Sequence, residues 1–112
     1  MTGPREGAPR TKPCVLRPQA REDRRSEVHY DRQADGVAVA DKLVKAMAQA
    51  LLDLERNPSI GSPALGRPLG IEELRTWRLQ DFPLTFWYIE RADHIEVVRL
   101  VGQRQDQGDV EV

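Results

Sequence analysis

A chain of 112 residues is long enough for one domain with one modest core and too short for two. Its 17 basic and 18 acidic residues leave a formal net charge of −1, which removes any global electrostatic case for nucleic-acid binding. A single cysteine, Cys14, excludes an internal disulfide framework and a multi-cysteine metal site. No apolar run approaches the roughly 20 residues of a membrane span, so a cytoplasmic chain with no cofactor and no metal is expected.

In chain order, residues 1–12 (MTGPREGAPRTK) carry two Gly, two Pro and almost no aliphatic side chain, and are expected to be a flexible leader. Cys14-Val15-Leu16 predicts a first short strand with Cys14 as a small apolar residue, and Arg17-Pro18 ends it. Pro18 suits a first helical position and opens a charge-dense helix whose apolar stripe is thin: Ala20, Val28 and Tyr30. Arg21 with Arg25, and Glu27 with Asp31, are like-charged at i,i+4, each pair costing a few tenths of a kcal/mol, roughly. The charges of this helix read as a solvated face. Asp35-Gly36 breaks it.

Val37 to Arg56 is the clearest helix. Leu43, Met47, Ala50, Leu51 and Leu54 follow three- and four-residue spacing, a stripe made for packing on a sheet or another helix. Asn57-Pro58 ends it, because the residue before proline resists the helical region. Residues 59–71, punctuated by Gly and Pro, are expected to be a loop without elements of its own.

The last third, residues 74–104, predicts three adjacent antiparallel strands. It is rich in β-branched and aromatic residues and holds every aromatic except Tyr30. Polar breaks at Gln80-Asp81 and Arg91-Ala92-Asp93 mark two tight connections. Pro83 belongs at the start of its strand, since it cannot donate to a ladder. In the last run Ile95, Val97, Arg99 and Val101 alternate with Glu96, Val98 and Leu100. Neither face is wholly polar, which predicts a central strand with Arg99 admitted on one side.

Catalytic constellations are missing. There is no phosphate-cradling glycine loop with its lysine, no nucleophile elbow and no paired His/Cys ligand spacing. His29 and His94 lack orienting partners in the sequence and read as surface residues, and adjacent Glu72 and Glu73 would point to opposite faces of a strand. Arg75, Arg78, Arg91, Arg99 and Arg104 all fall in the sheet region. They leave two readings open: a local basic patch, or for Arg99 a structural ion pair. Trp77 is placed in the core.

The ordered set Pro18-x-Ala20-x-x-Asp23 with Tyr30, Asn57-Pro58-x-x-Gly61, Leu74-Arg75-x-Trp77-x-Leu79, Phe82-Pro83 with Phe86-x-Tyr88, Ile95-Glu96-Val97-Val98-Arg99-Leu100 and Gly102-x-Arg104-x-Asp106 resembles the ParE branch of the RelE/ParE toxins. The resemblance implies an α+β fold: a short N-terminal strand, a two-helix hairpin and a three-stranded antiparallel meander. The toxin domain would span residues 13–106, with residues 107–112 as an acidic tail. It also implies a type II toxin that inhibits DNA gyrase without catalysing a reaction and forms a hetero-oligomer with a cognate antitoxin, whose C-terminal segment folds on it.

RelE-like nucleases, the alternative branch, carry an arginine three residues before the tyrosine of the middle strand. Counting back from Tyr88 gives Thr85. No Tyr or His follows the last strand either, so RNA cleavage would lack its acid and base. Trp77, Arg78, Arg99 and Arg104 are the candidate target-binding residues. In an mRNA endonuclease Arg78, Arg99 and Arg104 would instead hold phosphates. A third reading is a non-toxic binding module whose sheet edge and helix groove accept a partner helix.

Overall fold

The computed structural model describes residues 11–102 and 107–112. β1 (Cys14–Leu16) leads into a hairpin of two helices, α1 (Pro18–Asp35) and α2 (Val37–Arg56). A 3-10 turn, Pro58–Ile60, and a one-turn helix α3 (Gly66–Leu69) follow, and then β2 (Leu74–Arg78), β3 (Leu84–Glu90) and β4 (Ile95–Gly102). The expected leader lies mostly outside the described residues.

The meander does not stand alone. β1 joins it in parallel beside β4, and the four strands run β1-β4-β3-β2. That docking is what makes β4 central and explains why neither of its faces is polar. Both outer edges are met by the chain itself. The Cys14 N–H donates to the Glu55 carboxylate at 3.0 Å, and Ser62 exchanges both backbone hydrogen bonds with Thr76 at 2.9 Å. An unpaired strand edge invites foreign strands, and these contacts blunt it.

α2 forms as its periodicity dictates. Leu43, Met47, Ala50 and Leu54 are buried against the sheet, with Leu51 half-buried beside them. Gly36 joins the helices at φ +95°, a conformation that only glycine adopts without strain. The sheet face under the helices carries Phe86, Tyr88, Ile95, Val97 and Leu100. The opposite face carries Leu74, Trp87, Ile89, Val98 and Val101.

Residues 59–71 correct the expectation of a loop without elements. The 3-10 turn from Pro58 runs into them and α3 folds within them, and Leu65, Leu69 and Ile71 cover the second face of the sheet. Gly/Pro punctuation hid these single turns, which sequence periodicity cannot register at three or four residues. The acidic tail also packs: Val110 sits on the same face.

Simple alternation along β4 is also corrected. The register shifts opposite Trp87/Tyr88, so that Trp87 pairs Arg99 and Tyr88 pairs Val97, leaving Val98 as the extra residue of a bulge. Val97 and Leu100 therefore share the helix side while Val98 and Val101 share the other. The turn between β2 and β3 is closed by the Leu79 N–H to the Leu84 carbonyl at 2.9 Å, with Asp81 at φ +69°, a conformation that aspartate tolerates. No described helix is long and apolar enough to cross a membrane.

Candidate functional site

Arg99 lies in β4 opposite the first turns of α1. Its Nε and Nη2 donate to Asp23 Oδ2 and Oδ1 at 2.7 and 3.0 Å, and the Leu100 N–H donates to Asp23 Oδ2 at 3.0 Å. The two side chains are only 13% and 11% exposed. Asp23 holds the Arg99 guanidinium charged, above the ordinary arginine range. Arg99 Nη1 donates to the Glu111 carbonyl at 2.9 Å, drawing the tail in. Between the two readings left open for Arg99, the geometry is that of a structural ion pair.

Reading the whole of α1 as a solvated face missed Asp23. A helix with little to bury is fixed instead by one carboxylate that accepts a two-pronged guanidinium and a backbone N–H. Asp23 within Pro18-x-Ala20-x-x-Asp23 was the available signal.

Arg75 and Arg91 are similarly occupied. Arg75 Nη1 donates to the Gly61 carbonyl at 2.8 Å, and Arg91 Nη2 meets Glu96 Oε1 at 2.7 Å. The Arg78 side chain is exposed and has no hydrogen bond or ion pair among the described residues. Arg104 lies outside the described residues.

Trp77 is half-buried rather than fully in the core, packed at the rim of the helix-side cluster with its indole N–H 3.4 Å from Asp53 Oδ2. With Arg78 it lines a cleft of about 790 Å³ between α2 and the β2–β3 turn, joined by Lys42, Lys45 and Phe82. The carboxylates of Asp53 and Asp81 also line it, so three cations and two anions surround an aromatic floor.

Tyr88 is fully buried. Its hydroxyl donates to the Pro58 carbonyl at 2.6 Å and accepts the Gly61 N–H at 2.9 Å, and burial pushes the phenol's pKa up, so it stays protonated. Asn57-Pro58-x-x-Gly61 is therefore an anchor for the chain leaving α2. The Cys14 thiol, pushed up to about 12 by burial and then by Glu55, is not a nucleophile at neutral pH. His94 pairs with its neighbour Asp93 at 2.7 Å on the surface, and His29 is exposed on α1. No cluster of metal-ligating side chains exists among the described residues.

Glu96 clamps the start of α1 to the β3–β4 turn, accepting hydrogen bonds from Arg17 and Arg91. The Arg17 hydrogen bond, then that of Arg91, outweighs burial and holds its carboxyl below the ordinary glutamate range. Stability from this clamp is therefore complete above that range and is lost as pH falls through the lowered value. Glu96→Gln is expected to lose about 1 kcal/mol at pH 7 and to show a flatter acid limb than the parent in urea unfolding between pH 7 and 3. Parallel acid limbs would exclude Glu96 as their source.

Residues 14–107 match the family described as ParE toxin of type II toxin-antitoxin system, parDE. The chain belongs to the ParE toxin family. A search of curated proteins returns no match. Among solved structures, a chain of a "Chromosomal ParDE TA system from P. aeruginosa" is similar at TM-score 0.68 and 18% identity, with 82% of this chain and 96% of that one covered. At that identity the likeness concerns the fold: the strand, hairpin and sheet described above are those of a ParE-like α+β domain.

Proposed function

We propose that this ParE-family chain is the toxin of a two-component system. It inhibits DNA gyrase in the cytoplasm by binding rather than by catalysis, and a cognate antitoxin holds it inactive. Family membership over residues 14–107 supports the toxin assignment. The observation that carries the non-catalytic reading is the use made of Tyr88 and Arg99. Tyr88 is the only tyrosine of the sheet region, and Arg99 would hold a phosphate in an mRNA endonuclease. Here the first is locked between Gly61 and Pro58, and the second is locked onto Asp23. Acid/base catalysis needs a proton-transferring group within reach of the substrate, and a fully buried, doubly bonded phenol is not within reach.

Trp77 and Arg78, on the rim of the α2–β2 cleft, are the residues of choice for the target contact. The test is growth after inducible expression of the chain alone and together with the small open reading frame beside it. The expected result is arrest with filamentation and an SOS response, relieved by the neighbour. With purified components the chain is expected to inhibit gyrase supercoiling and leave ribosome-bound mRNA intact. Arg78→Glu is expected to weaken inhibition about tenfold, as loss and reversal of one interfacial charge would do. Cleavage of mRNA by the purified chain would overturn the reading.

A further inference from the structure

The face of α2 turned to β2 carries Lys42, Lys45, Gln49 and Asp53 along one wall of the cleft of about 790 Å³, and the β2–β3 turn supplies Arg78, Gln80 and Asp81 on the other. Between them Ala46 and Ala50 are short, so the half-buried rings of Trp77 and Phe82 form the floor. From Lys42 to Asp53 the α2 wall rises about 16 Å.

The domain supplies no partner for most of these charges. The Lys42, Lys45 and Arg78 side chains make no hydrogen bond or ion pair among the described residues, and Asp41, one turn before Lys45, forms none with it. Lys42 and Lys45 are neighbours on the helix surface, where like charges repel. Asp53 is engaged elsewhere: its carboxylate accepts the Trp77 indole N–H at 3.4 Å and the Gln49 amide at 3.0 Å, which holds the ring in place. Asp81 is unpaired among the described residues. At φ +69° asparagine or glycine would serve the turn as well, so the fold itself does not require its carboxylate.

We infer that this cleft takes a segment of gyrase whose charges match it one by one, an inference that rests on the gyrase reading above. The segment presents an aromatic or long aliphatic side chain to Trp77 and Phe82, carboxylates to Lys42 and Lys45, and a neutral or basic group to Asp81. An indole already fixed by Asp53 loses little freedom when it is covered, which suits it to anchor the contact.

Other occupants fit worse. The bases of a nucleic acid could stack on the rings, but its phosphates carry one sign of charge, and Asp53 and Asp81 oppose what Lys42 and Lys45 attract. A second copy of the chain would double the cationic excess rather than offset it.

The test uses the full chain, gyrase and the product of the adjacent open reading frame. Lys42→Glu/Lys45→Glu, exposed changes that leave the core untouched, is expected to weaken inhibition of supercoiling about tenfold or more and to flatten its salt dependence. Asp81→Asn keeps the turn and loses only the charge, and is expected to weaken inhibition about threefold. Both variants should keep the parent's melting temperature and its affinity for the antitoxin, a combination that misfolding would not give. Unchanged inhibition by the lysine variant would overturn the cleft assignment and leave the gyrase reading intact, whereas a parent chain that does not inhibit would overturn both. Stronger inhibition by Asp81→Asn would assign the cleft to DNA phosphates and overturn the inference. An equal loss of antitoxin affinity would assign the cleft to the antitoxin and overturn it too.

Discussion

Replacing Asp23 with alanine is expected to destabilise the domain by about 3–5 kcal/mol, a large share of the stability of a chain this size. Three donors lose their acceptor at once: Arg99 Nε, Arg99 Nη2 and the Leu100 N–H. The guanidinium cannot simply turn to water, because its side chain is only 13% exposed. The cost is thus mainly that of an unpaired buried charge and an unpaired buried amide. Arg99→Ala leaves a carboxylate that still accepts the Leu100 N–H, so it should cost less. In a double-mutant cycle followed by urea unfolding, the Asp23→Ala/Arg99→Ala protein is expected to be more stable than Asp23→Ala alone. Additive losses would show that the two residues are not coupled. Since α1 buries little besides Ala20, loss of Asp23 should also raise hydrogen exchange in α1 before α2.

Gly61→Ala is expected to lower the melting temperature by about 10–20 °C, equivalent to about 3 kcal/mol. A Cβ at residue 61 would lie 2.5 Å from the Tyr88 hydroxyl and 2.7 Å from the Thr76 carbonyl oxygen. The first neighbour is a fully buried ring and the second is backbone in β2, so neither gives way cheaply. Relief would require breaking the hydrogen bonds that Tyr88 makes to Gly61 and Pro58, and shifting the Arg75 contact with the Gly61 carbonyl. Tyr88→Phe separates the two effects. It keeps the ring, removes only the hydroxyl, and leaves the Pro58 carbonyl and Gly61 N–H to find water or go unpaired, at about 1–3 kcal/mol. Thermal unfolding of both variants by circular dichroism measures the difference. A melting temperature within about 2 °C of the parent for Gly61→Ala would mean that the Asn57–Gly61 turn is not held against the sheet.

Both predictions treat Asp23 with Arg99, and Gly61 with Tyr88, as structural pairs. With Tyr88 and Arg99 held in these pairs, the proposed target contact rests on Trp77 and Arg78 at the α2–β2 cleft.

What the sequence determined by itself was local. The Leu43/Met47/Ala50/Leu54 spacing specified α2 and its buried face, because 3.6-residue periodicity over about three turns leaves no other low-energy choice. Asp35-Gly36 and Asn57-Pro58 set its ends. The apolar density of β3 and β4, with polar breaks between, specified the antiparallel pairs and their turns. The ordered motifs, spread along the chain, made the family legible although no single one carried it.

The tertiary structure decided what depends on residues distant in sequence. β1 is three residues long, and nothing within it says that its parallel partner is β4. The bulge at Val98 follows from strand pairing, and it overrode the alternation that the sequence displays. The single turns after α2 and the tail at Val110 take their shape from the apolar sheet face they cover. Asp23 and Arg99 are 76 residues apart and meet only because α1 crosses β4. Two opposite charges in a list of 35 charged residues carry no mark of being partners until folding removes water from between them and makes the pairing obligatory.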